Sequence, residues 1–578
     1  MSRPPSPGER RRRLITRAVP LAIVAVVSFV AGASSGADES PERAAAERFV
    51  EAWALQDFAA MHAELSPRSA RRLTVAELAR AHLEAQETAT LRAIDPGSAP
   101  DPSEREGRTV VEVPVRVETV AFGPARGNLA VPFDEEGILW EESLVFPGLR
   151  GEEQLDGDVE LAERAPILAR DGEPLAEGPA EGRSYPLGDS SIDVTGEVGQ
   201  AEPAEERELA RQGFPPGTPV GISGLEQAFN TLLAGKPGGV LFASGPDGDR
   251  PLARSEPRPG RTLRTTVDPE LQEAAVAALA GRLGGIAVLD TRSGAVRALA
   301  GSAFSVPRPP GSVFKIITTT AALQGGKVTL DEEFPVVNGA NVGGRFIYNA
   351  GGEFCGGDFR NSFAHSCNSV FAPLGVEVGE EALVETAKRF GFNAEPALYE
   401  EAAVGVIDPP SPSIPRDVGD ELDLGVSAIG QGEVLATPLL MASTAQTVAN
   451  DGVRMPTSIV TEPALGPETE PVRVMSPRIA GLLTELMIGV VEYGTGTAGS
   501  IAEARVAGKT GTAELGPKPG QEDLPPGVPP EQYVDAWFAA FAPADQARLA
   551  VAVNLIDADA SGGEVAAPAA AAVLSAGL

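Results

Sequence analysis

Three short polar motifs lie in order along the second half of this chain: Ser312-Val313-Phe314-Lys315, Ser366-Cys367-Asn368 and Lys509-Thr510-Gly511-Thr512. Each alone is a weak signal, and a Ser-x-x-Lys pair is common by chance at a solvated helix start. Together they demand a fold that brings a helix start, a loop and a strand to one place. Pro309-Pro310-Gly311 breaks the chain just before Ser312, so Val313 to Leu323 is predicted helical. Ser312 and Lys315 are three apart and share a face of that helix. The positive end of the helix dipole favours negative charge developing on Ser312.

The residue types match acyl transfer from a peptide, which needs a nucleophile, a base, proton relays and a place for an oxyanion. Lys315 can act as base only while neutral, and burial together with nearby Lys509 lowers its pKa. Ser366 and Asn368 supply a hydroxyl and an amide. Val506-Ala507-Gly508 reads as the start of a strand leading into Lys509. Gly511 removes a side chain where another backbone must approach. Thr510 and Thr512 point to one side of the strand and can hydrogen-bond a carboxylate that Lys509 attracts.

Other chemistries find little support. The histidines are His62, His82 and His365, and no Gly-x-Ser-x-Gly elbow accompanies them. No His-Glu-x-x-His or Cys-x-x-Cys metal pattern and no phosphate loop occur, so no metal and no cofactor is expected. A net charge of −34 argues against a nucleic-acid partner, which needs a basic face.

The N-terminus runs against that acidity. Arg3, Arg10, Arg11, Arg12, Arg13 and Arg17 precede an apolar run from Ala18 to about Ala33. Positive charge on the near side places the rest of the chain outside the membrane. The run is shorter than the roughly 20 residues of a full span, and Ala31-Gly32-Ala33 resembles a cleavage site. An uncleaved single-pass anchor and a cleaved signal peptide both remain open, and both export the remainder. In an exported chain, Cys355 and Cys367 read first as a disulfide, and otherwise as two buried thiols.

A length of 578 residues suggests three or four domains. After a basic tail and anchor at 1–37, a unit at 38–150 begins with the N-cap Ser40-Pro41 and helical spacing of Phe49, Val50, Trp53, Phe58, Met61 and Leu65. Strand-like alternation follows at Val111–Val113 and Val115–Glu118, with further strand candidates at 137–140 and 143–146. A unit at 151–260 ends in a Gly/Pro/Arg-rich stretch from Pro246 to Arg261 that reads as a linker. A large α/β unit covers 261–578. It opens with Asp268-Pro269 capping a helix through Leu271, Ala275 and Leu279. A hairpin, 286–290 with 295–299, comes next.

The three motifs in this order resemble the active site of penicillin-recognising serine acyltransferases. Ser427-Ala428-Ile429-Gly430-Gln431-Gly432, Thr437-Pro438-Leu439 and Ala536–Pro543 also match that family. Arg164–Gly172 and Gly224–Asn230 resemble motifs of the non-catalytic pedestal of class B penicillin-binding proteins. Trp140 ahead of Ser143–Pro147 resembles the NTF2-like front domain of MecA-type members. The resemblance implies a multi-domain α+β and α/β chain: anchor, NTF2-like α+β cone, dimerisation/pedestal domain and a β-lactamase-like transpeptidase domain. It implies an extracytoplasmic DD-transpeptidase that acts on peptidoglycan stem peptides through a Ser312 acyl-enzyme and is acylated by β-lactams at Ser312. Partners among other cell-wall synthesis proteins would fit such a role.

By the same resemblance, Ser366 shuttles a proton between Lys315 and the leaving amine, and Asn368 holds the substrate backbone. The backbone N–H groups of Ser312 and Thr512 are the expected oxyanion donors, worth ~3 kcal/mol each. Cys367 departs from the residues often found in the middle of the second motif. A β-lactamase or DD-carboxypeptidase, with water as acceptor, and a non-catalytic scaffold or β-lactam sensor are the alternative readings.

Overall fold

The computed structural model describes residues 40–394, 398, 411–463, 470–517 and 532–578. The expected anchor lies outside the described residues, and among these no helix is long and apolar enough to cross a membrane. The chain divides into two compact units, one reaching to Asp158 and including Val240–Arg254, the other comprising Val159–Gly239 and Ser255–Leu578.

In the first unit, helices α1 (Pro41–Ala54) and α2 (Val75–Thr88) precede an antiparallel sheet. Ser40 caps α1 by accepting from the Arg43 N–H, and Thr74 and Glu77 form a reciprocal capping box on α2. The sheet centres on β1 (Leu91–Pro96), β2 (Arg108–Thr119) and β3 (Pro124–Asp134). Val111, Val113, Val115 and Val117 are buried in alternation, as a half-buried strand requires. Residues 143–146, expected as a strand, lie instead around a 3-10 turn at Glu142–Val145. The neighbours Ser143 and Leu144 are both buried there, which a strand with one face to solvent would not allow. A second difference falls on the expected linker. Residues Gly238–Gly245 and Gly248–Ser255 are two strands of a three-stranded sheet, joined through Pro246-Asp247 with Gly248 at φ +103°. The turn-forming residues there close a hairpin instead of loosening the chain.

In the second unit, the two pedestal motifs meet through charge. Glu226 is fully buried and accepts from Arg164 Nε at 2.9 Å and Arg183 Nε at 2.7 Å, while Arg164 Nη1 donates to Asn230 at 3.0 Å. Buried ions persist only when paired in this way. Leu225, Phe229 and Leu233 bury the apolar face beside it.

The part of this unit that carries the three motifs is built on five antiparallel strands. Their spatial order is β5 (Val296–Gly301), β4 (Gly284–Asp290), β8 (Leu549–Leu555), β7 (Gln532–Ala542) and β6 (Ala507–Pro517). Alternate residues face opposite layers. Ile286, Val288, Phe538 and Val553 pack with helices Pro269–Leu279 and Ala567–Gly577. Ala287, Leu289, Ala539 and Phe541 join the larger helical core. Each buried Ile, Val, Leu or Phe among them contributes about 1.5–3 kcal/mol, so this two-sided burial fixes the sheet that carries the third motif. That motif sits on the edge strand β6.

Candidate active site

The first motif begins as a 3-10 turn, Gly311–Phe314, which runs into α3 (Lys315–Gln324). The helix thus starts tighter than expected, and in 3-10 geometry residues i and i+3 eclipse, which brings Ser312 and Lys315 onto one line. Gly311 adopts φ +53°, and a Cβ there would lie 2.7 Å from the Thr512 carbonyl oxygen. Its N–H donates to the Gly430 oxygen at 2.9 Å. Glycine is needed because three backbones meet here. Ser312 is half-buried, and its hydroxyl has no hydrogen-bond partner among the described residues.

The second motif follows a short helix, Phe359–Ala364, and leads into α4 (Asn368–Val378). Ser366 stands at φ +58°, a left-handed conformation unusual for a residue with a side chain. Cys367 is disulfide-bonded to Cys355, with Cα atoms 5.4 Å apart, which ties this strained turn to the strand Cys355–Asp358. The Cys367 N–H donates to the Ser362 oxygen at 2.9 Å. Backbone strain of this kind persists only when surroundings over-determine it.

Both lysines are fully buried. Lys315 Nζ donates to the Ser366 carbonyl at 2.8 Å, the Ser366 hydroxyl at 3.1 Å and Asn368 Oδ1 at 2.7 Å. Lys509 Nζ donates to the same Ser366 hydroxyl at 3.0 Å and to the Thr510 carbonyl at 3.0 Å. Burial, and then repulsion from Lys509, hold Lys315 well below its ordinary pKa. Burial alone pushes Lys509 down to about 7. The Phe371 ring lies 5.2 Å from Lys315 Nζ and the Phe363 ring 5.7 Å from Lys509 Nζ. Ring faces favour the charged form by about 2 kcal/mol when desolvated, but burial is the larger effect and lowers both lysines.

On β6, Lys509 points to the helical side with Gly511, and a Cβ on Gly511 would meet the Pro310 oxygen at 2.6 Å. Thr510 and Thr512 share the other side, by alternation. The Thr510 hydroxyl lies 2.6 Å from that of Thr495, and the Gly562 N–H donates to Thr512 Oγ1 at 3.3 Å. Thr495, in Tyr493-Gly494-Thr495-Gly496, is a site contact that sequence reasoning missed, and the glycines flanking it were the available signal. The Ser427–Gly432 signature also proves to be architectural. Thr318 donates to the Ala428 carbonyl at 2.6 Å, and Gln431 Nε2 to the Thr512 carbonyl at 3.4 Å. That segment bolts the first motif to the third. His365 is exposed and lies beside Tyr493. Among the described residues no group of three or more His, Cys, Asp or Glu could hold a metal ion.

Residues 284–575 match the penicillin binding protein transpeptidase domain, and residues 178–265 match the penicillin-binding protein dimerisation domain. Peptidoglycan D,D-transpeptidase PbpA of Mycolicibacterium smegmatis is 36% identical over 306 residues, covering 48% of this chain and 56% of that protein. The Mycobacterium tuberculosis PbpA is 35% identical over 303 residues, covering 48% and 57%. The chain therefore spans little more than half the length of these relatives. The structure of penicillin-binding protein A from M. tuberculosis as a penicillin G acyl-enzyme complex superposes with a TM-score of 0.56 at 27% identity, covering 72% of this chain and 99% of that one. With a dimerisation domain ahead of a transpeptidase domain that takes up half its length, the chain belongs to the class B penicillin-binding protein transpeptidases.

Proposed function

We propose that this chain is a peptidoglycan D,D-transpeptidase that works through an acyl-enzyme on Ser312. The observation that carries the reading is the convergence of two buried lysines on one hydroxyl, that of Ser366. Neutral Lys315 removes the proton of Ser312 as its oxygen attacks the carbonyl of the terminal D-alanyl-D-alanine bond. The backbone N–H groups of Ser312 and Thr512 hold the oxyanion. Ser366 passes a proton to the leaving amine, the terminal residue departs and a Ser312 ester remains. An acceptor amine then attacks that ester, forming the cross-link and returning the proton to the serine. Asn368 holds the substrate backbone, and Lys509, Thr510, Gly511 and Thr512 hold the donor's carboxylate. A β-lactam acylates the same serine, a reading supported by the acyl-enzyme complex of the similar protein from M. tuberculosis.

The basic, apolar N-terminus would anchor the chain in the cell membrane with the catalytic domain outside. In this reading 38–150 is an NTF2-like MecA-type spacer or docking domain, 151–260 the pedestal and 261–578 the transpeptidase domain. The helices and antiparallel sheet of the first unit support the first of these assignments. The test is a fluorescent penicillin on a denaturing gel. Stable label on the wild type and none on Ser312→Ala is expected, and absence of label on the wild type at high drug overturns the reading. Rapid loss of label marks a hydrolase instead, and transfer to a D-amino acid acceptor separates transpeptidation from hydrolysis.

A further inference from the structure

Just ahead of Ser312, Arg308 reaches across to strand β7 and meets Asp535. Its Nε donates to Oδ2 at 2.6 Å and its Nη2 to Oδ1 at 3.3 Å, so both carboxylate oxygens are held. The Asp535 side chain is fully buried and that of Arg308 is 30% exposed. Asp535 Oδ1 also accepts the Asp557 N–H at 3.1 Å. One carboxylate thus joins the approach to the nucleophile, the strand beside the third motif and the turn after β8.

Each of these segments leads to Ser312 or to Thr512. Arg308 is held at its backbone too, its N–H and its carbonyl each bonding Ala436 at 2.8 Å. From there Pro309 and Pro310, whose rings fix φ, carry the chain to Gly311 and Ser312 with little freedom. On β7, Asp535 pairs in register with Ala513, the residue after Thr512. By alternation it faces the side of the sheet that Trp537 gives to the helical core. The turn containing Asp557 continues to Gly562, whose N–H donates to Thr512 Oγ1 at 3.3 Å.

A buried ion pair is a poor source of stability, because desolvation offsets the attraction and an apolar pair of similar volume does as well or better. What a guanidinium–carboxylate fork supplies is direction, since it fixes an angle as well as a distance. The two oxyanion donors proposed above need that precision, because they come from separate segments and must face one point.

We propose that Arg308 and Asp535 are positioning residues of acyl transfer: the pair holds Ser312 and Thr512 at the mutual spacing that lets their backbone N–H groups bind one oxyanion. The inference rests on the acyl-transfer reading above and deepens it.

The test replaces the pair by an apolar one, Arg308→Leu with Asp535→Leu, so that no charge is left buried alone. Asp535→Leu by itself, in which Arg308 can turn to water, carries the same comparison if the double variant does not fold. Stopped-flow acylation by a fluorescent penicillin separates the non-covalent Kd from the acylation rate constant. The rate constant is expected to fall by about 10²-fold while Kd stays within about twofold. The urea midpoint of the double variant stays at or above that of the wild type. Arg308→Lys, which keeps the charge and loses the fork, gives an intermediate rate. The second readout is the ratio of kcat/KM for a D-alanyl ester donor and its thionoester, whose larger sulfur fits poorly between donors set for oxygen. That ratio is large in the wild type and falls in the variants toward its value in water, whereas a folding defect slows both donors alike. Wild-type acylation by the folded variants, or an unchanged oxygen-to-sulfur ratio, overturns the positioning role. Absence of acylation in the wild type overturns the acyl-transfer reading itself.

Discussion

Lys315 and Lys509 share one acceptor, the Ser366 hydroxyl, at 3.1 and 3.0 Å. Two ammonium groups would repel strongly at such a separation in a dry site. The arrangement is tolerable only if at least one is neutral, which is the state a general base needs. Ser366→Ala removes the shared acceptor and, with it, the proposed proton relay. Its acylation rate with fluorescent penicillin should fall by about 10²–10⁴, while gel mobility and circular dichroism stay those of the wild type.

The same burial sets a pH dependence. The folded pKa of Lys509 is about 7 against 10.5 for the free side chain. Between these values the unfolded chain binds the extra proton, so stability rises with pH, by about 1.4 kcal/mol per unit for this group. It is fully present above 10.5 and lost as pH falls through about 7. Lys509→Met should therefore unfold at higher denaturant near neutral pH, by about 1–4 kcal/mol, with the gap closing toward pH 10, and it should be poorly acylated. Urea melts of both proteins at several pH values check this. The acylation rate of the wild type should fall on the acid side as Lys315 gains its proton.

The disulfide joins a strand to the centre of the second motif, closing a loop of sequence separation 12. Cys355→Ser with Cys367→Ser should cost about 3 kcal/mol and slow acylation, because the turn holding Ser366 at positive φ loses a tie. Thermal melts and acylation rates of the double variant, with dithiothreitol-treated wild type beside it, measure both effects.

In the first unit, His82 is fully buried among Phe49, Trp53, Phe58 and Trp140, and neither ring nitrogen has a hydrogen-bond partner among the described residues. Burial pushes its pKa from 6.5 down to about 3. The unfolded chain then takes up the proton first as pH falls below 6.5, and stability drains away until about 3. His82→Leu should flatten that acid limb and raise stability at pH 5 by about 1–3 kcal/mol, read from tryptophan fluorescence melts.

Much of the site was legible because its chemistry is local. Ser312 and Lys315 lie within one turn, Gly311 and Gly511 mark where backbones crowd, and the capping residues Ser40, Thr74 and Asp268 announce their helices. Residues 143–146 and 248–255 were misread because alternation and turn residues do not say which neighbour a segment will find. Thr495 was missed because its flanking glycines mark a turn without naming the partner, and only the fold sets Thr510 2.6 Å away.

The amino-acid order by itself determined the residue types and order of the three motifs and where helices start, since these depend on residue type and short spacing. Only the tertiary structure decided that Lys315 and Lys509 meet on one oxygen, that Ser366 is strained into place, and that Arg308 meets Asp535. Those facts depend on segments far apart in the chain being buried together, where desolvation sets the charge of a lysine and packing sets the direction of a guanidinium.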